Sequence, residues 1–216
     1  MELFQKKYWE RKSLIKRRLP QHPVIKSFVL SKIKEIRRII PIKKETTLLD
    51  VGCGNGFFSY YFDKICDTTA IDYSETMISL NPVAKKYVML AEDLKFPNDS
   101  FDIVFCNALL HHIEDTGRVL EEMKRVSRKY VIISEPNIFN PVNLINSIIN
   151  KHERGALRFS LKYLKNKVEK HDLKIIDAFS FGFIVPKRMP IFSLPLLNLF
   201  EKRSFWGLMN IIITKK

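Results

Sequence analysis

Two carboxylates, a cluster of glycines and a pair of histidines are the residues of this chain whose types and spacing suit chemistry. Asp50 precedes Gly52, Gly54 and Gly56, three glycines at alternate positions with Cys53 between the first two. Glycine has no Cβ and tolerates left-handed backbone, so such a loop lets main-chain groups approach a ligand closely. Asp72 lies 22 positions after Asp50, near the offset of about 20 residues at which an acid ending a second strand meets a ribose. A carboxylate can accept two hydrogen bonds from vicinal hydroxyls; the other reading of Asp72, followed by Tyr73 and Ser74, is a helix cap. His111 and His112 are candidate bases, because imidazole titrates near neutral pH, or they only wall the site.

These residues need elements to hold them. Leu48, Leu49 and Val51 form an apolar run of the kind a strand buried on both faces shows, and it breaks directly into the glycines. Phe57, Phe58, Tyr60, Tyr61 and Phe62 then follow at the spacing of a helix packed back on a sheet. The dinucleotide fingerprint Gly-x-Gly-x-x-Gly fails here, since Phe57 stands where its third glycine belongs. Further strands are expected at 68–71, 87–91, 101–106, 130–134, 173–178 and 210–214, with a turn at Pro97-Asn98-Asp99-Ser100. A helix after Ile113 buries Val119, Leu120, Met123 and Val126, and residues 143–170 read as helical with Leu161, Leu164 and Val168 at core spacing.

Asp50 followed by Gly52-Cys53-Gly54-Asn55-Gly56, Asp72 at the end of the second strand, Asp93 after the third and Phe101-Asp102 opening the fourth together resemble the class I S-adenosylmethionine-dependent methyltransferases, in the small-molecule branch of methyltransferase type 11. The resemblance runs from about Thr47 to Asn137. It implies an α/β fold, a three-layer Rossmann-like seven-stranded mostly parallel sheet with an antiparallel last strand. It implies S-adenosyl-L-methionine as cofactor, with Gly52, Cys53, Gly54 and Gly56 wrapping its aminoacyl and ribosyl part and Asp50 holding the loop and the ammonium. In the same likeness Asp72 takes the ribose, Tyr73 and Met77 flank the adenine, Asp93 and the Leu94 amide read the adenine edge, and cofactor and acceptor meet at Asn107. The Asn107-Ala108-Leu109-Leu110 sequence lacks the Asn-Pro-Pro-aromatic pattern of enzymes that methylate exocyclic amines. Cys106 follows Phe105 within a strand and does not suit a cytosine C5 nucleophile. The Lys-Pro-Gly-Gly turn common before the fifth strand of relatives is replaced by Ser127-Arg128-Lys129.

The 216 residues, 46% hydrophobic, fit one domain with a full core. Residues 1–45 form a basic N-terminal arm with 14 Lys and Arg against 4 Glu, which holds most of the net charge of +14. Its second helical piece, after Pro20 and Pro23, has Val24, Phe28, Ile33, Ile36 and Ile40 on one face and Lys26, Lys32, Lys34, Arg37 and Arg38 on the other. The cations are either a solvated face or a site for an anionic partner, RNA or a membrane surface. The methyltransferase domain is expected over 46–216, with an apolar insertion about 179–206 that covers the acceptor pocket, pairs with a subunit, touches lipid or packs as a lid. Charge in the first twenty residues and Pro195 within the longest apolar stretch point to a cytoplasmic protein. Cys53, Cys66 and Cys106 have no metal-ligand spacing, and no metal site is expected. The expected activity is methyl transfer to a small-molecule, lipid-like or glycan acceptor. An RNA methyltransferase that uses the basic arm and a non-catalytic cofactor-binding scaffold are the alternatives. Glu135 either contacts substrate or caps its loop.

Overall fold

The computed structural model describes residues 18–186 and 189–216. Seven strands form one sheet: β1 (Thr47–Val51), β2 (Asp67–Asp72), β3 (Lys86–Val88), β4 (Phe101–Asn107), β5 (Ser127–Pro136), β6 (Lys174–Phe181) and β7 (Met209–Lys215). Their order is β3-β2-β1-β4-β5-β7-β6, and β7 runs antiparallel to both of its neighbours while the other pairs are parallel. The chain reverses direction across the sheet between β1 and β4, the place where open α/β sheets leave a crevice at their carboxyl ends.

The central strands read as unbroken apolar runs because neighbours along a strand point to opposite faces and both faces are covered. Leu48, Ile103, Phe105, Ile132, Ile211 and Ile213 face one core; Leu49, Val51, Val104, Cys106, Val131, Ile133 and Ile212 face the other. Helix α1 (Pro23–Ile39) packs on the first core through Val24, Ile25, Phe28, Val29, Ile33 and Ile36. The described part of the N-terminal arm therefore shares the core of the sheet; its first expected helical piece lies outside the described residues. The segment after the glycine loop winds into a single helical turn, α2 (Ser59–Phe62), shorter than its aromatic spacing suggests. Helix α3 (Glu75–Leu80) is capped by Ser74, whose Oγ accepts from the Met77 amide at 3.2 Å.

On the second face, α4 (Thr116–Val126) buries Val119, Leu120, Met123 and Val126 as its periodicity requires. The helical stretch expected over 143–170 is three pieces: α5 (Pro141–Ile149), a 3-10 helix over Lys151–Arg158, and α6 (Leu161–Glu169). Asn140 caps α5 by accepting from the Val142 and Asn143 amides, and Ser160 caps α6 through the Tyr163 amide. Each of these caps satisfies amides that a helix start leaves without internal partners.

Lys32 departs from its expected place among the outward cations of α1. Its side chain is buried, with Nζ 3.1 Å from the Phe28 carbonyl, 3.4 Å from Glu201 and 3.8 Å from the centre of the Phe28 ring. Burial pushes the amine down to about 8 against the opposing pull of Glu201. Glu201 also accepts from the Ser31 hydroxyl and from the Phe183 and Ile184 amides, so the apolar segment after β6 is tied to α1 by one carboxylate. A partner 169 residues away is invisible to helical periodicity. Within that segment a short helix, α7 (Leu194–Asn198), leaves Leu196 exposed, while Ile184 joins the core.

One close approach fixes the 3-10 helix against the turn that follows β4. A Cβ built on Gly155 would lie 1.8 Å from the carbonyl oxygen of His111, which is backbone and cannot rotate aside. Gly155→Ala is expected to destabilise the fold by about 1–3 kcal/mol, measured as a lower urea midpoint with unchanged slope.

Candidate functional site

The glycine loop leaves β1 with Gly52, Gly54 and Gly56 all at positive φ, and the Cys53 amide returns to the Ile71 carbonyl at 2.9 Å. Gly54 has φ +53° and nothing within 4 Å of the place a Cβ would occupy, so main chain is bare on its open side. Asp72 fixes the loop from the next strand. Its Oδ2 accepts from the Gly54 amide at 2.8 Å, and its Oδ1 accepts from the Ser74 amide at 2.9 Å. It thus caps the turn into α3 and presents its carboxylate at the cavity wall together. Asp50 is buried behind the loop and accepts from the Ser59 hydroxyl at 2.5 Å. Burial raises its carboxyl to about 7, and the neighbouring Asp72 adds to the rise against the bond from Ser59.

A single cavity collects most of the expected residues. Asp50, Gly52, Cys53, Gly54, Asp72, Tyr73, Asn107, His111 and His112 all line it. Gly56 and Met77 do not; Met77 is a buried residue of α3. Asp93 and Leu94 also stand apart from the cavity. Asp93 pairs with Lys95 near the surface, and the Leu94 amide donates to Glu122 at 2.8 Å. Arg125 binds both that carboxylate and the Leu94 carbonyl, so an acid and a base on α4 hold this loop. Cys53 is buried, takes a bond from the Asn81 amide at 3.2 Å, and has its thiol pushed well up by burial, the state of a small packed residue and not of a nucleophile.

The other side of the cavity is organised by Glu135, at the end of β5. Its buried carboxylate accepts from the Leu109 amide at 2.8 Å, the Leu110 amide at 2.7 Å and pairs with His111 Nδ1 at 2.6 Å. Glu135 is therefore the cap of the turn that follows β4, a 3-10 helix over Leu110–His112. His111 Nε2 meets Glu153 at 3.2 Å. Burial disfavours an imidazolium, but Glu135 and Glu153 outweigh it and raise His111 to about 9. Both nitrogens of His111 are thus engaged by carboxylates, which hold the ring in place. The ring centre of His112 lies 3.8 Å from that of His111. Donor atoms of His111, His112 and Glu153 fall within 4.8 Å of one another, a set that could take a metal ion. Glu153 was not foreseen, because nothing local marks a residue 42 positions away as a partner of His111. Asn143 and Asn146 of α5, with Val185, Pro186, Leu208 and Met209, also line the cavity.

Residues 49–133 match the family model for the methyltransferase domain. A SAM-dependent methyltransferase from Thermotoga maritima superposes with a TM-score of 0.68 over 89% of this chain and 91% of that one at 20% identity, a likeness of fold. Residues 49–133 thus carry a methyltransferase domain, within a class I methyltransferase fold. A phosphatidylethanolamine N-methyltransferase of Cereibacter sphaeroides is 33% identical over 92 residues, covering 38% of this chain and 45% of that protein. A demethylmenaquinone methyltransferase of Listeria welshimeri is 30% identical over 123 residues, covering 49% and 52%. The chain thus spans about half the length of these curated relatives.

The lining of this cavity is chemically suited to S-adenosylmethionine. Asn107 Oδ1 is buried with no hydrogen-bond partner and belongs to a residue lining the cavity, an acceptor suited to an ammonium. The bare backbone at Gly54 gives room for the ribosyl part, and the paired carboxylates Asp50 and Asp72 favour a cation. A cationic ligand favours ionised Asp50, so its binding should release a proton wherever Asp50 is protonated beforehand. Because Asp50 titrates at about 7, affinity is expected to rise with pH up to about 7 and level off above. Calorimetry at pH 6 and pH 8 in buffers of different ionisation enthalpy should show binding up to about tenfold weaker at the lower pH.

Proposed function

We propose that this chain transfers the methyl group of S-adenosylmethionine to a small-molecule or lipid-like acceptor in the cavity between the glycine loop and α5. The observation that carries the reading is the mixed lining of that one cavity. Its lining joins the glycine-loop backbone and the carboxylates Asp50 and Asp72 to His111, His112 and Glu153, with Val185, Leu208 and Met209 among the apolar residues. When bound, the cofactor supplies a methyl group already activated by a sulfonium.

The chain's own residues then have separate tasks. Asp72 and the Gly54 backbone hold a ribose, and Asn107 Oδ1 accepts from an ammonium. Asp50 supplies negative charge beneath them. Glu135 and Glu153 keep His111 charged and still, and His111 backs the His112 ring. His112 is the group at the cavity wall that takes a proton from an acceptor hydroxyl or acidic carbon. Alignment is the larger contribution: orienting two reactants can be worth roughly 7–11 kcal/mol, whereas a base typically adds about 10²–10⁴ in rate. The acceptor classes named for the two relatives, a phospholipid headgroup and a quinone precursor, are consistent with the mixed wall.

Formation of S-adenosylhomocysteine from S-adenosylmethionine, assayed against lipid, polar small-molecule and RNA fractions, is expected with the lipid or small-molecule fraction. With the active fraction, His112→Ala should lower kcat by about 10²-fold or more and leave cofactor affinity unchanged. Turnover with RNA alone would reverse the acceptor assignment, and cofactor binding without any turnover would favour a non-catalytic scaffold.

A further inference from the structure

Helix α5 is built inside out. Over Pro141–Ile149 only Ser147 is buried, while Val142, Ile145, Ile148 and Ile149 are 48%, 57%, 58% and 78% exposed. At 100° per residue these four fall within about one third of the helix circumference. Asn143 and Asn146 occupy the other side and line the cavity. An ordinary surface helix does the reverse, because apolar side chains are stabilised by leaving water. The apolar face continues past the helix: Asn140 Nδ2 donates to the Trp206 carbonyl at 2.7 Å, and the Phe205 and Trp206 rings beside it are 62% and 52% exposed.

The charge around this face has one sign. Between Asn137 and Arg158 the exposed ionic side chains are Lys151, Arg154 and Arg158, and the single acid of that stretch, Glu153, is turned inward against His111. Two copies of the face brought together would place these cations near one another. A nucleic acid would welcome the cations but has no use for a ridge of isoleucines. Exposed aliphatic side chains, a tryptophan at the margin and a rim of Lys and Arg are the combination that an anionic lipid surface satisfies at once.

We propose that α5 and the adjoining Phe205-Trp206 loop dock this protein in the plane of an anionic membrane. No helix among the described residues is long and apolar enough to cross one, so the contact is interfacial. The Asn143 and Asn146 side of the same helix walls the cavity, which places the cavity beside the bilayer.

Flotation of the full chain with vesicles of phosphatidylcholine and phosphatidylglycerol in equal parts tests the proposal. Binding is expected to the mixed vesicles, weaker to phosphatidylcholine alone, and reduced about tenfold or more in Ile145→Asp/Ile148→Asp. Lys151→Glu/Arg154→Glu should lose only the preference for phosphatidylglycerol. Thermal melting and titration with S-adenosylhomocysteine serve as checks that both variants remain folded. No flotation of the parent chain, or equal flotation of the isoleucine variant through the basic arm, would overturn the proposal. So would light scattering that shows a dimer dissociated by the isoleucine substitutions. Flotation needs neither cofactor nor turnover, so its failure is distinct from failure of the proposed methyl transfer.

Discussion

The carboxylate of Glu135 is the constraint on which the histidine side of the cavity depends. A carboxylate without exposure to water costs several kcal/mol unless partners surround it. Here two amides and one imidazole do so. Each partner sets something else. The Leu109 and Leu110 amides fix the turn by which β4 leaves the sheet. Leu109 then closes over Gly52, where a Cβ would meet its side chain at 2.6 Å. His111 passes the constraint on to Glu153, which anchors the 3-10 helix that follows α5. One buried charge thereby links the glycine loop, the histidine pair and the outer helix.

The glycine-loop side of the cavity rests on a pair of acids with a different balance. Asp72 is satisfied by the Gly54 and Ser74 amides, whereas Asp50 has the Ser59 hydroxyl and the repulsion of Asp72. Burial, with the repulsion of Asp72 added to it, leaves Asp50 poised near neutrality and makes the cavity receptive to positive charge. The two sides thus differ in electrostatic state: the histidine side carries its own compensating cation in His111, while the carboxylate side would gain one from the proposed cofactor.

Much of this was legible in the sequence, and the gaps have physical causes. The central strands β1, β4, β5 and β7 show as apolar runs because both of their faces are covered, whereas the strand expected over 87–91 is only Lys86–Val88, at the exposed edge of the sheet. The left-handed glycines were visible because few other residues tolerate that backbone. Asp50, Asp72 and Asn107 reach one cavity because strand ends in an open parallel sheet converge at the switch of strand order. Asp93 and Leu94 do not, since Glu122 and Arg125 on α4 claim the loop that carries them. Lys32 and Glu153 owe their positions to partners far along the chain, which no local period encodes. The inverted face of α5 escaped notice because its composition matches a helix that packs inward; only its neighbours decide which side meets water.

Calorimetric titration of the protein with S-adenosylmethionine, S-adenosylhomocysteine and NAD in parallel tests the central claim most directly. Saturable binding of the first two at one site, lost in Asp72→Ala, and no heat from NAD is the predicted result. Binding of NAD alone, or binding of S-adenosylhomocysteine that is indifferent to Asp72→Ala, would contradict the placement of the cofactor between the glycine loop and the end of β2.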